Sequence, residues 1–158
     1  MKDTVEKLIK LNKTISTMES CTGGAVANAI TDIEGASEIL KFSAVTYSNE
    51  FKIKMGVDKK IIDKFSVYSI ETATEMSKNI CMFTKSDYGI GITGKLNRID
   101  KNNLYADNNK IYISIYQKHN EKYYSYEIIA TKQNRIENKE LIIDFINKQL
   151  CKILDESS

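Results

Sequence analysis

Ser20 lies in the run Glu19-Ser20-Cys21-Thr22-Gly23-Gly24, after a segment that alternates like a strand and just before a small-residue helix opening at Ala25. A hydroxyl placed there faces a helix N-terminus, whose free N–H groups can hold a developing oxyanion. Gly23 and Gly24 let the backbone come close to a ligand. The run also reads as an ordinary N-cap serine with turn glycines, because serine is a common cap. Cys21 is the rival nucleophile. It is intrinsically stronger, but it needs an electropositive, partly exposed setting and is otherwise a small buried hydrophobe.

A hydroxyl nucleophile needs a base. His119 is the single histidine and sits in Gln117-Lys118-His119-Asn120-Glu121, a polar turn between strands, so the base is sought among Lys, Tyr and carboxylates. Lys52 follows Tyr47-Ser48-Asn49 and falls in the first turn of the helix expected there. The helix N-terminus and partial burial would lower its pKa and make it a usable base. The alternative is a solvated surface lysine. Thr93-Gly94 ends an apolar strand, where the hydroxyl and backbone N–H can hold a phosphate or an amide, or simply close a turn. Arg135, after Gln133-Asn134, opens the last helix and can grip a phosphate bidentately.

The elements that must position these groups follow from periodicity. Residues 3–12 have helical apolar spacing through Val5, Leu8, Ile9 and Leu11, and 14–18 alternate as a strand. The pattern predicts strands at 42–47, 88–94, 111–116 and 123–129, the last two as a hairpin. Asn49 and Asp58 are expected to cap short helices, and Ser69 a longer one with Ala73, Met76, Ile80 and Phe83 inward. A final helix runs from about Ile136 to Leu154. Residues 95–109 are polar and read as a mobile loop. Strand–helix alternation followed by a hairpin predicts an α/β fold: a three-layer helix–sheet–helix sandwich with a mixed, mostly parallel sheet. In such sheets ligands sit outside the carboxyl ends of strands, where the turns at 19–24, 47–49 and 93–95 fall.

Composition bounds the function. With 23 basic and 21 acidic residues the net charge is +2 and the basic groups are scattered, so no nucleic-acid footprint is expected. Neither a membrane-length apolar run nor a secretory signal is visible, which places the chain in the cytoplasm without a membrane partner. Cys21, Cys81 and Cys151 have no zinc-ligand spacing, and with one histidine no metal site or cofactor is expected.

Taken together, Thr17 to Gly24, Gly35-Ala36-Ser37, Tyr47-Ser48-Asn49-Glu50-Phe51-Lys52, Lys54-Met55-Gly56-Val57, Val67-Tyr68-Ser69, Ile92-Thr93-Gly94 and Lys110-Ile111-Tyr112-Ile113 resemble the CinA C-terminal domain family, which includes nicotinamide-nucleotide amidases. The resemblance covers nearly the whole chain and implies one stand-alone domain over residues 1–158. It implies hydrolysis of nicotinamide mononucleotide to nicotinate mononucleotide and ammonia, a step of pyridine nucleotide salvage, without metal. It assigns Ser20 as nucleophile, Lys52 as base and Tyr47 to proton transfer or orientation. Cys21, Thr22, Gly23, Gly24, Thr93, Gly94 and Arg135 are the implied substrate contacts, and self-association into a homo-oligomer is implied as well. The chain departs from the family at Lys95 to Asp100, where a Gly-Pro-Gly-rich loop is usual, and at Asn138-Lys139, where a second arginine is common. Lys95 or Arg98 can take over a phosphate contact there. The altered loop motivates an alternative: a catalytically degenerate nucleotide-binding or regulatory module of the same fold.

Overall fold

The computed structural model describes residues 1–97 and 109–158. The expectations placed on Arg98 and on most of the 95–109 loop fall outside the described residues. Five strands form one sheet in the order β2 (Leu40–Val45), β1 (Ile15–Glu19), β3 (Tyr88–Gly94), β4 (Lys110–Gln117), β5 (Lys122–Ile129). β1 runs parallel to β2 and β3, and β4 and β5 add an antiparallel hairpin. Helices α1 (Lys2–Leu11), α2 (Ala25–Thr31) and α6 (Arg135–Glu156) pack together over one face. The other face carries α5 (Ile70–Thr84) with α4 (Lys59–Phe65), reached through the short α3 (Asn49–Lys54). This is the helix–sheet–helix sandwich expected from the alternation. Among the described residues no helix is long and apolar enough to cross a membrane.

The two faces follow from the period-2 alternation of the strands. Ile90 and Ile92 of β3 enter a large core with Val5, Leu8, Val26, Ile30, Ile142, Ile146 and Leu150. The alternate positions, Gly89 and Gly91, face α5. A Cβ on Gly89 would stand 2.2 Å from the Ser77 carbonyl oxygen, and one on Gly91 would stand 2.3 Å from that of Ala73. Helix and strand therefore meet backbone to backbone, a use of strand glycine that close approach demands. Ser77 Oγ then reaches Ser114 Oγ of β4 at 2.9 Å.

Three local expectations are corrected. Ser48, not Asn49, caps α3, accepting the Phe51 N–H at 3.2 Å. Phe83 is 65% exposed, because it lies at the margin of the α5 stripe, where it meets Phe42 of the edge strand with ring centroids 5.6 Å apart. The strand expected at 42–47 spans Leu40–Val45, so Thr46 and Tyr47 follow it, held by the Thr46 N–H donating to the Glu19 carbonyl.

Candidate active site

β1 is buried along its whole length and yet ends in a carboxylate. Glu19 is fully buried and accepts four hydrogen bonds: from Val26 N at 3.0 Å, Ala27 N at 2.9 Å, Thr22 Oγ1 at 2.6 Å and Thr17 Oγ1 at 3.3 Å. The first amides of α2 are thus satisfied by the preceding strand, which corrects the expectation that they stand free for an oxyanion. A carboxylate at a helix N-terminus is also favoured by the dipole. Gly23 (φ 60°) and Gly24 (φ 96°) make the left-handed turn that lets the chain wrap this carboxylate. Ser20 is held at the tip of β1 by its N–H donating to the Ile92 carbonyl of β3 at 3.0 Å.

Glu19 was legible only as part of a motif. The signal for its role is a charged residue closing an otherwise uncharged buried strand. Glu19→Ala leaves two amides and the Thr22 hydroxyl without their acceptor, at about 1–3 kcal/mol for each that stays buried and unpaired, while the Thr17 hydroxyl keeps Ser43 Oγ at 2.7 Å. A stability loss of at least about 2 kcal/mol is expected in urea unfolding. An unchanged midpoint and slope would show that this cap contributes nothing.

Lys52 is 1% exposed, an unusual state for a lysine. It runs back from α3 toward the tip of β1, with Nζ 2.7 Å from the Thr46 carbonyl oxygen and 3.0 Å from Ser20 Oγ. As an ammonium it donates to both. As a neutral amine it keeps the bond to the carbonyl and turns its lone pair to the serine hydroxyl. Among the described residues no carboxylate pairs with it, and burial lowers its pKa from 10.5 to about 8. Burial alone does this. Lys52 falls in the last turn of α3, not the first, so the helix N-terminus does not assist. Cys21 is also buried, and its thiol is pushed up to about 12, chiefly by desolvation. At neutral pH it is a protonated thiol beside a serine that contacts a base.

Ser20, Cys21 and Lys52 border a cavity of about 190 Å³ at the carboxyl ends of β1 and β3. The chain passes from one face of the sheet to the other between these strands, the usual location of ligand sites in open α/β sheets. Tyr47, 65% exposed, and Asn49 stand on one side, Val67 and Tyr68 on another, and Gly94, Lys95, Leu96 and Arg135 close it. Arg135 Nη1 donates to the Leu96 carbonyl at 2.6 Å. Asn138 does not replace a cavity arginine. It is fully buried and brackets Lys132, accepting its N–H at 2.9 Å and donating to its carbonyl at 3.2 Å.

Other expected contacts lie elsewhere. Thr93 is fully buried and donates to the Val67 carbonyl at 2.9 Å, so its hydroxyl ties β3 to the segment before α5 instead of lining the cavity. Thr22, committed to Glu19, and Gly23 and Gly24 are also absent from the lining. His119 lies in the turn between β4 and β5, near a separate cavity shared with Tyr88, the first residue of β3. Among the described residues no group of three or more His, Cys, Asp or Glu side chains could hold a metal ion.

The sequence model of the CinA C-terminal domain matches residues 1–151, and the chain belongs to that family. A CinA-like protein of Endomicrobium trichonymphae is 47% identical over 88 residues, which is 55% of this chain and 21% of that protein. The chain spans under a quarter of the length of such curated relatives. Among solved structures, a competence or damage-inducible protein from Enterobacter asburiae superposes with a TM-score of 0.87 at 23% identity, covering 96% of this chain and 94% of that one. A CinA superfamily protein from Klebsiella pneumoniae gives 0.88 at 20% identity, covering 98% and 95%. These two likenesses concern the fold.

Proposed function

We propose that this chain is an amidohydrolase that converts nicotinamide mononucleotide and water to nicotinate mononucleotide and ammonia, with Ser20 as nucleophile and Lys52 as its base. The observation that carries the proposal is the buried Lys52 Nζ at 3.0 Å from Ser20 Oγ, inside a cavity. Neutral Lys52 takes the hydroxyl proton as Ser20 Oγ attacks the amide carbon. The backbone amides of Cys21 and Thr22, directly after the nucleophile, are the nearest donors for the oxygen charge that then develops. Protonated Lys52 returns its proton to the leaving nitrogen as the C–N bond breaks, releasing ammonia and leaving an ester on Ser20. Water, with Lys52 again as base, hydrolyses the ester. Tyr47, at the mouth, is placed to orient the amide or relay a proton. No metal enters these steps.

The test is ammonia release from nicotinamide mononucleotide by the purified protein, followed by an enzyme-coupled assay. Stoichiometric nicotinate mononucleotide and ammonia are expected. Thermal stabilisation by the nucleotide without any ammonia would replace this reading with that of a binding module.

A further inference from the structure

Thr46 follows β2 directly, and the pairing of Glu19 with Val45 puts it beside Ser20 across the parallel strands. It is 2% exposed. Its backbone is fully used: the N–H donates to the Glu19 carbonyl at 2.8 Å, and the carbonyl accepts from Lys52 Nζ at 2.7 Å. Its hydroxyl is not. Among the described residues, Thr46 Oγ1 is the one buried side-chain oxygen or nitrogen with no hydrogen-bond partner. A buried hydroxyl without a partner is a standing cost, and valine would fill nearly the same volume without it. Hydroxyls elsewhere in the core are paired, as Ser77 is with Ser114 and Ser16 with Ser86. The orphan falls instead on the residue that grips the base.

An ammonium carries three N–H donors. At rest Lys52 has two acceptors among the described residues, Ser20 Oγ and the Thr46 carbonyl oxygen. It loses the first during reaction. Once Ser20 Oγ is bonded to the substrate carbon it accepts poorly, and this is the moment at which Lys52 holds the transferred proton. A charged group this deeply buried is costly with one acceptor. We infer that Thr46 is a positioning residue: its hydroxyl turns about χ1 to accept an N–H of Lys52 while Ser20 Oγ is bonded to the reacting carbon. Both Thr46 oxygens belong to one residue, so Oγ1 moves to the ammonium while the carbonyl keeps hold of Nζ. The hydroxyl has no bond to break first, so the rotation between staggered positions loses nothing. Two oxygens of one residue then hold the ammonium until it gives its proton to the leaving nitrogen. Thr46 makes and breaks no covalent bond, and its own proton stays on Oγ1. The inference rests on the Ser20–Lys52 pair of the proposed mechanism and not on the identity of the amide.

The experiment compares wild type with Thr46→Val, which keeps the shape and removes the oxygen, and with Thr46→Ser, which keeps the oxygen. In steady-state ammonia release from nicotinamide mononucleotide, Thr46→Val is expected to lower kcat and kcat/KM together, by about ten- to a hundredfold, with KM unchanged. That is the pattern of a contact made only during reaction. Thr46→Ser should stay within about threefold of wild type. The urea midpoint of Thr46→Val should equal or exceed that of wild type, because no bond of the resting protein is lost. The second measurement needs no amide. Phenylmethanesulfonyl fluoride forms a bond from its sulfur to Ser20 Oγ, expels fluoride and leaves the serine proton on Lys52. The rate at Ser20, followed by mass spectrometry, should be about tenfold lower in Thr46→Val than in wild type or Thr46→Ser. A Thr46→Val protein with the kcat and labelling rate of wild type overturns the inference. So does a lowered midpoint with a raised KM, which marks a hydroxyl that only supports the fold. If wild type releases no ammonia but the labelling pattern holds, the amidase reading fails and Thr46 keeps its role. A Ser20 that neither supports ammonia release nor takes the reagent overturns both.

Discussion

Lys52→Ala is expected to lower kcat by about 10²–10⁴-fold, the usual cost of removing a positioned base. Lys52→Arg is expected to do no better, because a guanidinium stays protonated and cannot accept the serine proton. The wild-type pH profile follows from the same group. Burial brings the Lys52 pKa down to about 8, so roughly one molecule in ten holds the neutral amine at pH 7. The rate should fall about tenfold per pH unit below that value and level off above it. Stability should move the opposite way on substitution. In the unfolded chain this lysine binds its proton up to 10.5, and in the folded protein it releases it above about 8. The folded state therefore carries a penalty that is full below pH 8 and disappears as pH rises from 8 to 10.5. Lys52→Met removes that penalty and loses the bond to Thr46, for a net gain of about 1–2 kcal/mol at pH 7. An inactive Lys52→Met protein that unfolds at higher temperature is the expected outcome. Near-wild-type turnover in Lys52→Arg would mean that the residue supplies only charge, and the base would have to be another group.

Ser20→Ala is expected to reduce kcat by at least about 10⁴-fold, since the whole covalent route depends on one oxygen. Cys21→Ala should retain activity within about tenfold. The two residues adjoin, both border the cavity, and sulfur is the better nucleophile in isolation. Protonation state decides between them. The Cys21 thiol is held up to about 12, chiefly by burial, whereas Ser20 Oγ lies 3.0 Å from an amine that can take its proton. Alkylation by iodoacetamide at pH 7 should accordingly be slow at Cys21. The measurements are kcat for both variants and mass-spectrometric mapping of the alkylated sites. An inactive Cys21→Ala with an active Ser20→Ala would move the nucleophile to sulfur.

Much of the architecture is legible in the residue pattern, because its elements are strongly periodic. The helix expected at 136–154 is Arg135–Glu156, and the strands expected at 88–94, 111–116 and 123–129 fall within a residue of their observed bounds. Errors fall where tertiary contacts outrank local preference. Phe83 has helical spacing for the core, but it meets only the edge of the sheet, against the half-exposed Phe42 of β2, and stays 65% exposed. Thr93 has the chemistry of a ligand contact, but the chain segment before α5 offers its carbonyl first. The turn amides of α2 look open from the sequence because nothing local marks Glu19 as their acceptor. That bond exists only once β1 is buried and the chain folds back over its end. Lys52 is the opposite case. Its low pKa is foreseeable, but the cause is burial, which local spacing does not report, and not position in the helix.

The bare backbone contact between α5 and β3 has a consequence for how this protein tolerates mutation. A methyl group on Gly91 would press on Ala73 and Ser77, and α5 could relieve it only by moving away from the sheet. Val67 and Tyr68 lead directly into that helix, and the Val67 carbonyl is bonded to Thr93 at the end of the same strand. The displacement would either break that bond or carry Tyr68 away from the cavity it lines. A library selected for lost function would therefore gather alanines and serines at Gly91 alongside changes at Ser20, although Gly91 touches no reacting atom. Those variants would differ from the Ser20 class in losing stability along with turnover, and shortening Met76 would not rescue them, because a Cβ at position 91 would first meet backbone, the Ala73 carbonyl oxygen at 2.3 Å and the Ser77 amide nitrogen at 2.6 Å.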